Sequence, residues 1–200
     1  MPRPRNQTAR RAQLIAAATQ TVLEHGAAQA RLRDIAQQAG LTPASVLYYY
    51  PDVHELFTAV LTQGSVTYCE GREQEIARFS TAADRLRACI RSGVPRPGET
   101  ADASRVLYEL APVVLRNETA AAEYKRFIDR QTALYHRVLT DGERSGEFRP
   151  VDDVAVLARS FVALEDGYGL DVLTGDLAAD EVERRLLLHA RLTLGVDLTA

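Results

Sequence analysis

The sequence predicts an all-α protein in two parts, a helix-turn-helix domain over residues 1–51 with a basic N-terminal arm and a helical body over 52–200. Three observations predict it. Apolar residues recur every three to four positions along nearly the whole chain, the period of helices with a buried face. No stretch alternates apolar and polar residues between hairpin turns, so no strand is expected. Two short periodic segments near the N-terminus are separated only by Gly40-Leu41-Thr42, as in two helices joined by a tight turn. With 200 residues, 46% of them hydrophobic and 26% charged, the chain can bury one small core and one larger one.

The first helix is predicted from Thr8, whose hydroxyl can cap it, to His25-Gly26, burying Leu14, Ile15, Ala18 and Val22. A second covers about 32–39 with Leu32, Ile35, Ala36 and Ala39 inward, and Gly40 ends it. Thr42-Pro43 restarts the chain as cap and first helical position, and the third helix closes at Pro51-Asp52 after about Tyr49. A long helix follows, with Phe57, Val60, Leu61, Gly64 and Tyr68 on one face, reaching toward Phe79. Another runs from near Ala82 to Ser92-Gly93, and Val94-Pro95-Arg96-Pro97-Gly98 is the clearest loop. Further helices are predicted over 101–116, 119–143, 152–174 and 179–195, with turns at Gly142, 146–150 and Gly175.

Charge is unevenly distributed. The net charge is −3, yet residues 1–56 carry six arginines against Glu24, Asp34, Asp52 and Glu55. A basic head on an acidic body predicts phosphate contact at the N-terminal end alone. No apolar run approaches the ~20 residues of a membrane span, and the basic start has no apolar stretch behind it to make a secretory signal. A cytoplasmic protein is expected. Cys69 and Cys89 are predicted to be buried free thiols, because no basic or histidine neighbour adjoins either in sequence. His25, His54, His136 and His189 are scattered without metal spacing, and no glycine-rich phosphate loop follows a strand. Neither a metal, a cofactor nor catalysis is expected.

The paired short helices have the chemistry of a DNA reader. Gly40 permits the reversal, and Ala36 and Ala39 let the helices approach. Thr42 and Pro43 set a helix N-terminus toward phosphate, while Ala44 and Ser45 leave room to enter a major groove about 12 Å wide. Consecutive helical residues point about 100° apart, so Tyr48 and Tyr49 are assigned to the groove side and Tyr50 to the core beside Val46.

Residues 11–57 resemble the N-terminal domain of the TetR (tetracycline repressor) family. The resemblance lies in Ile15-Ala16-Ala17-Ala18, Gly26, Arg33-Asp34-Ile35-Ala36-Gln37-Gln38-Ala39-Gly40-Leu41-Thr42, Ser45-Val46-Leu47-Tyr48-Tyr49-Tyr50-Pro51 and Glu55-Leu56, in this order and spacing. It implies that residues 42–49 form the recognition helix with its cap, and that Arg33, Thr42, Ser45, Tyr48 and Tyr49 stand where the family touches DNA. It also implies that the arm holding Arg3 and Arg5 reaches an adjacent groove or the backbone. The chain departs from the pattern in three places: Ala30-Arg31 replaces a capping hydroxyl, Leu47 a tyrosine and Val53 a phosphate-binding lysine. Arg31 is the candidate to make good the lost phosphate contact.

The two late helices are apolar on more than one side, through Val154, Val156, Leu157, Phe161, Val162 and Leu164 in one and Leu186, Leu187, Leu188, Leu192 and Leu194 in the other. A homodimer is therefore expected, with Phe161, Leu164, Gly167, Leu187, Leu188 and Leu192 at its interface in a four-helix bundle, as the resemblance also implies. A pocket for a small-molecule effector is expected among the inward aromatic residues Tyr68, Tyr108, Tyr124, Phe127, Tyr135, Phe161 and Tyr168, with His136, Glu165 or Asp166 orienting the ligand. The resemblance implies a regulator, by family habit a repressor, that binds a palindromic operator in double-stranded DNA and is released when the effector shifts the fourth helix. A helical adaptor without DNA binding is the alternative, kept open by Leu47 and Val53.

Overall fold

Ten α-helices and no strand account for the regular structure of the described residues. The computed structural model describes the backbone of residues 4–198 and the side chains of residues 7–98 and 101–198. In chain order the helices are α1 (Pro4–His25), α2 (Leu32–Gln38), α3 (Pro43–Tyr49), α4 (Val53–Ile76), α5 (Ala82–Gly93), α6 (Glu99–Glu109), α7 (Ala111–Val114), α8 (Glu118–Ser145), α9 (Val154–Thr174) and α10 (Ala179–Leu194). None of the helices described is long and apolar enough to cross a membrane.

Three elements depart from the sequence expectation for local reasons. α1 begins at Pro4, ahead of Thr8, because proline has φ already set and no N–H to lose at a helix start. The helix expected over 101–116 breaks at Leu110, since Pro112 lacks the N–H that would continue the ladder. Gly142 lies inside α8 rather than in a turn, where the chain folds back closely: Phe148 N–H donates to Gly142 O at 3.0 Å, and a Cβ on Gly142 would stand 2.0 Å from the Phe148 ring.

The chain forms two compact units, Met1–Val66 with Asp102–Lys125, and Thr67–Ala101 with Arg126–Ala200. This division differs from the one expected at residue 51. Its cause is that Val106, Leu110, Val113 and Ala120 join the same core as Leu14, Ile35, Val46, Leu56 and Phe57. In the first unit, the Gln13 side-chain amide donates to Ala39 O at 2.8 Å, and the Ala27 N–H donates to the Glu109 carboxylate at 3.0 Å. These bonds fix α1 against the end of α2 and tie the loop after α1 to α6.

In the second unit, the Glu147 carboxylate accepts from the N–H groups of Ala82 and Ala83, satisfying donors that the first turn of α5 leaves open. Asp153 caps α9 by accepting from Ala155 and Val156, and Gly175 ends it at φ 82°, a left-handed conformation suited to glycine. Leu157, Ala158, Phe161 and Val162 of α9 pack inward, as do Val182, Leu186, Leu187, Ala190 and Leu194 of α10.

Candidate DNA-reading surface and buried polar centre

The turn between α2 and α3 is built from Gly40 at φ 64°, with Leu41 N–H donating back to Ala36 O at 2.8 Å. Thr42 then caps α3: its hydroxyl oxygen accepts from the Ser45 N–H at 3.2 Å and bonds the Ser45 hydroxyl at 2.9 Å. Val46 and Tyr50 are buried, and the Arg11 guanidinium lies over the Tyr50 ring at 4.9 Å. Four residues apart, these two anchors hold one side of the helix and turn the other outward. Thr42, Pro43, Ala44 and Tyr48 are exposed, Tyr48 by 68%, and Ser45 is half-buried. Tyr49 leans on the core and meets Tyr48 edge to face at 5.0 Å, so of the two tyrosines expected to face a groove only Tyr48 is fully outward.

Arg31 and Arg33 are exposed at the start of α2. Arg31 is the N-cap residue and its side chain makes no capping bond, while Arg33 has only a 3.9 Å ion pair with neighbouring Asp34. Both guanidinium groups are therefore little committed within the chain. Arg3 and the Arg5 side chain lie outside the described residues. Leu47, 42% exposed on α3, is an outward side chain that sequence reasoning treated only as a departure from a pattern.

The second unit has a different centre. Arg72 of α4 is buried, and its guanidinium directs all five N–H groups to partners. Nε bonds Ser92 Oγ at 3.3 Å; one terminal nitrogen bonds Gln131 Oε1 at 2.5 Å and Glu165 Oε2 at 3.0 Å; the other bonds Cys89 O at 2.8 Å and Glu165 Oε1 at 2.9 Å. Tyr135 donates its hydroxyl to Glu165 Oε1 at 2.5 Å, and its ring stacks on Phe161 at 4.9 Å. The rings of Tyr68 and Tyr135 lie 5.5 and 5.6 Å from the Arg72 guanidinium carbon.

Burial is the largest single influence on Arg72 and disfavours its charge, but Glu165 together with Tyr68, Cys89 and Tyr135 outweighs it and holds the guanidinium well above its ordinary pKa. Burial likewise pushes the Glu165 carboxyl up, against the pull of Arg72 and Tyr135. Arginine does not lose its proton in proteins, so the guanidinium stays a cation and opposes protonation of the carboxylate beside it. Removing one member of such a pair strands the other and costs about 3–5 kcal/mol.

Of the residues expected to line a pocket, Tyr68, Phe127, Tyr135, Phe161 and Glu165 gather around this pair, Tyr68 meeting Phe127 at 5.7 Å. Tyr108 and Tyr124 belong to the first unit. His136 is exposed, since it follows inward Tyr135 by about 100° of helix, and Tyr168 lies under Arg185 at 5.5 Å. Two interface expectations are also corrected. Phe161 is fully buried between Tyr135 and His189, and Leu187 is buried with it in the protomer core. Of the other residues expected there, Gly167, Leu188 and Leu192 are exposed and Leu164 is half-buried, and the large exposed apolar side chains of α9 and α10 also include Val156 and Leu170. Sequence reasoning missed Arg72 and Gln131. The signal was present, because Arg72 falls on the inward stripe Leu61, Cys69 and Ile76 of α4, where a charge must find a partner.

Cys89 has a cationic neighbour after all, Arg72, 3.7 Å from its sulfur. Burial nevertheless dominates and pushes its thiol up to about 12; the same cause raises Cys69 to about 11.

A short helix-turn-helix with its second helix half outward, in a chain whose other unit is wholly helical among the described residues, is the build of a helix-turn-helix transcription regulator. Residues 14–60 match the family model described as bacterial regulatory proteins, tetR family, and residues 82–194 match the C-terminal domain of BetI-type transcriptional repressors. The chain belongs to the TetR family. It is 23% identical over 165 residues to the uncharacterized HTH-type transcriptional regulator YfiR of Bacillus subtilis, covering 79% of this chain and 77% of that one. Its fold is similar to that of a Saccharomonospora viridis protein crystallised in complex with choline, with a TM-score of 0.86, 23% identity and coverage of 94% and 98% of the two chains. A TetR transcription regulator from Haloarcula marismortui is also similar, with a TM-score of 0.83, 20% identity and coverage of 94% and 99%.

The raised thiol pKa values predict that neither cysteine reacts appreciably with an aromatic disulfide reagent at pH 8 in the folded chain. Both should react at once in denaturant. Rapid modification of the native protein would show a thiolate that this environment should suppress.

Proposed function

We propose that the chain is a ligand-responsive repressor that binds a palindromic DNA operator as a homodimer and leaves it when a small molecule enters the second unit. The observation that carries this reading is the division of α3 into an anchored side, Val46 and Tyr50, and an outward side bearing Ser45 and Tyr48. The outward side reads base edges, and Thr42, Arg31 and Arg33, with Arg3 and with Arg5 at the start of α1, hold the phosphates. An operator in bacterial DNA makes the cytoplasm its place of work.

Val156, Leu170, Leu188 and Leu192 support the dimer, since four large apolar side chains on two neighbouring helices are a poor surface to leave in water. Gly167, where an added Cβ would meet nothing within the protomer, leaves a second copy room to approach. A two-fold axis then sets the recognition helices about 34–36 Å apart, one turn of DNA, and gives the operator its palindrome. A similar fold in complex with choline supports a small-molecule effector. The effector acts through α4, which follows the recognition helix and carries Arg72, provided that it binds the DNA-competent and released forms unequally.

Fluorescence anisotropy on the chain's own upstream DNA tests the reader. Tyr48→Ala should cost about 1–3 kcal/mol on the operator and little on random duplex. Arg33→Ala should weaken both alike and lower the salt slope by about 1. Equal losses from the two variants would remove Tyr48 from base reading, and an absence of selective, salt-sensitive binding by the wild type would remove the repressor. Light scattering tests the dimer: wild type should be dimeric at micromolar concentration, and Leu188→Glu with Leu192→Glu monomeric with helicity intact. A monomeric wild type would contradict the assignment of that face.

A further inference from the structure

Among the described residues, Arg72 is the only buried cation and Glu165 the only buried carboxylate. What surrounds the guanidinium is a set of acceptors and π faces: both Glu165 oxygens, Gln131 Oε1, Cys89 O and Ser92 Oγ, with the Tyr68 and Tyr135 rings above and beside it. Such a lining recognises a cation with several N–H groups. Its carboxylate is also fixed in place. A Cβ on Gly93 would stand 1.7 Å from Glu165 Oε1, so α5 carries a glycine where the carboxylate seats, and Tyr135 holds the same oxygen from the other side.

We propose that this seat is a receptor for a guanidinium or amidinium compound, that Arg72 is its built-in occupant, and that the ligand binds by taking Arg72's place on Glu165. The inference rests on reading the second unit as the effector-binding half, and it names the class of effector. Charge balance makes the choice. A neutral or anionic ligand that displaced Arg72 would leave Glu165 buried without a counter-charge, whereas a cation exchanges for a cation and preserves the pair. Hydrogen bonding narrows it further. A quaternary ammonium has no N–H to give the oxygens that Arg72 now satisfies, and they would be left unpaired.

The seat itself is buried, and one of its members reaches the surface: Ser92, which accepts from Arg72 Nε, also lines an open groove of about 460 Å³ with the carboxylates Glu75 and Asp84 and the guanidinium groups of Arg87, Arg91 and Arg96. The exchange has a consequence for α4. Arg72 bonds that helix to α5, α8 and α9 at once, and its release cuts those bonds together, leaving α4 the Tyr68 bond to Gly93 and the Glu73 pair with Arg130.

The test uses the full chain and N-ethylguanidinium, which is the part of the arginine side chain that Arg72→Ala removes. Arg72→Ala is expected to melt roughly 10 °C below wild type. Millimolar ethylguanidinium should restore most of that loss, and the neutral isostere ethylurea and tetramethylammonium should restore none of it. Should Arg72→Ala fail to fold, tyrosine emission of the wild type gives the same reading. Saturable quenching or enhancement by ethylguanidinium alone supports the receptor, and no saturable change overturns it. Rescue or binding by ethylurea or tetramethylammonium as strong as by ethylguanidinium would also overturn it. Wild type should bind ethylguanidinium at least roughly tenfold more weakly than Arg72→Ala, because Arg72 competes from within the chain at high effective concentration; equal affinities would contradict that competition. Binding by the wild type without release of operator DNA would uphold the receptor and refute the regulatory reading on which it rests.

Discussion

From α4 the Arg72 guanidinium reaches a carbonyl and a hydroxyl of α5, an amide oxygen of α8 and the carboxylate of α9, so four helices of the second unit share one hydrogen-bonded centre. Its stability is conditional. An ion pair this deeply buried contributes little over well-packed apolar side chains of equal volume, yet loss of either member is severe. What the pair supplies is specificity of arrangement. Leucine-rich helices can slide past one another with small penalties, whereas five N–H groups pointed at five fixed oxygens tolerate one register. Gly93 and Tyr135 then follow as necessities, the first making room for Glu165 and the second satisfying it.

The DNA-reading unit obeys a different constraint. α3 has seven residues, far too few for a helix to persist in water unaided. It is held by a cap at Thr42, by Val46 and Tyr50 in the core, and by Arg11 over the Tyr50 ring. Those anchors use one side of the helix completely, and what they leave outward is Pro43, Ala44, Leu47 and Tyr48, with Ser45 at the edge. The reader is therefore rigid because it is short and anchored, and its outward residues can vary without loss of fold.

Much of this was legible in the sequence, and the failures share a cause. Periodicity located the helices, and Gly40-Leu41-Thr42-Pro43 located the turn, because those signals are local. Tyr50 was assigned inward by helical geometry and lies there. The breaks at Pro112 and at Gly142 were misread for opposite reasons: Pro112 acts through its missing N–H on its own turn, whereas Gly142 answers to Phe148 folding back on it. Arg72 was missed because its partners lie 17 to 93 positions away in sequence, where no spacing rule reaches. Phe161 and Leu187 were assigned to an outer face because two apolar sides on a helix do not say which is inner, and the protomer core took both. Val156 and Leu170 were left outward in consequence.

A double-mutant cycle measures the central interaction most directly. Urea unfolding of wild type, Arg72→Met, Glu165→Met and the double variant gives the coupling between the two side chains. Each single variant should lose about 3–5 kcal/mol, and the double variant should lose at least about 2 kcal/mol less than their sum, because no charge is left stranded in it. Additive losses would show that Arg72 and Glu165 contribute independently, and the account of a single centre binding four helices would then fail.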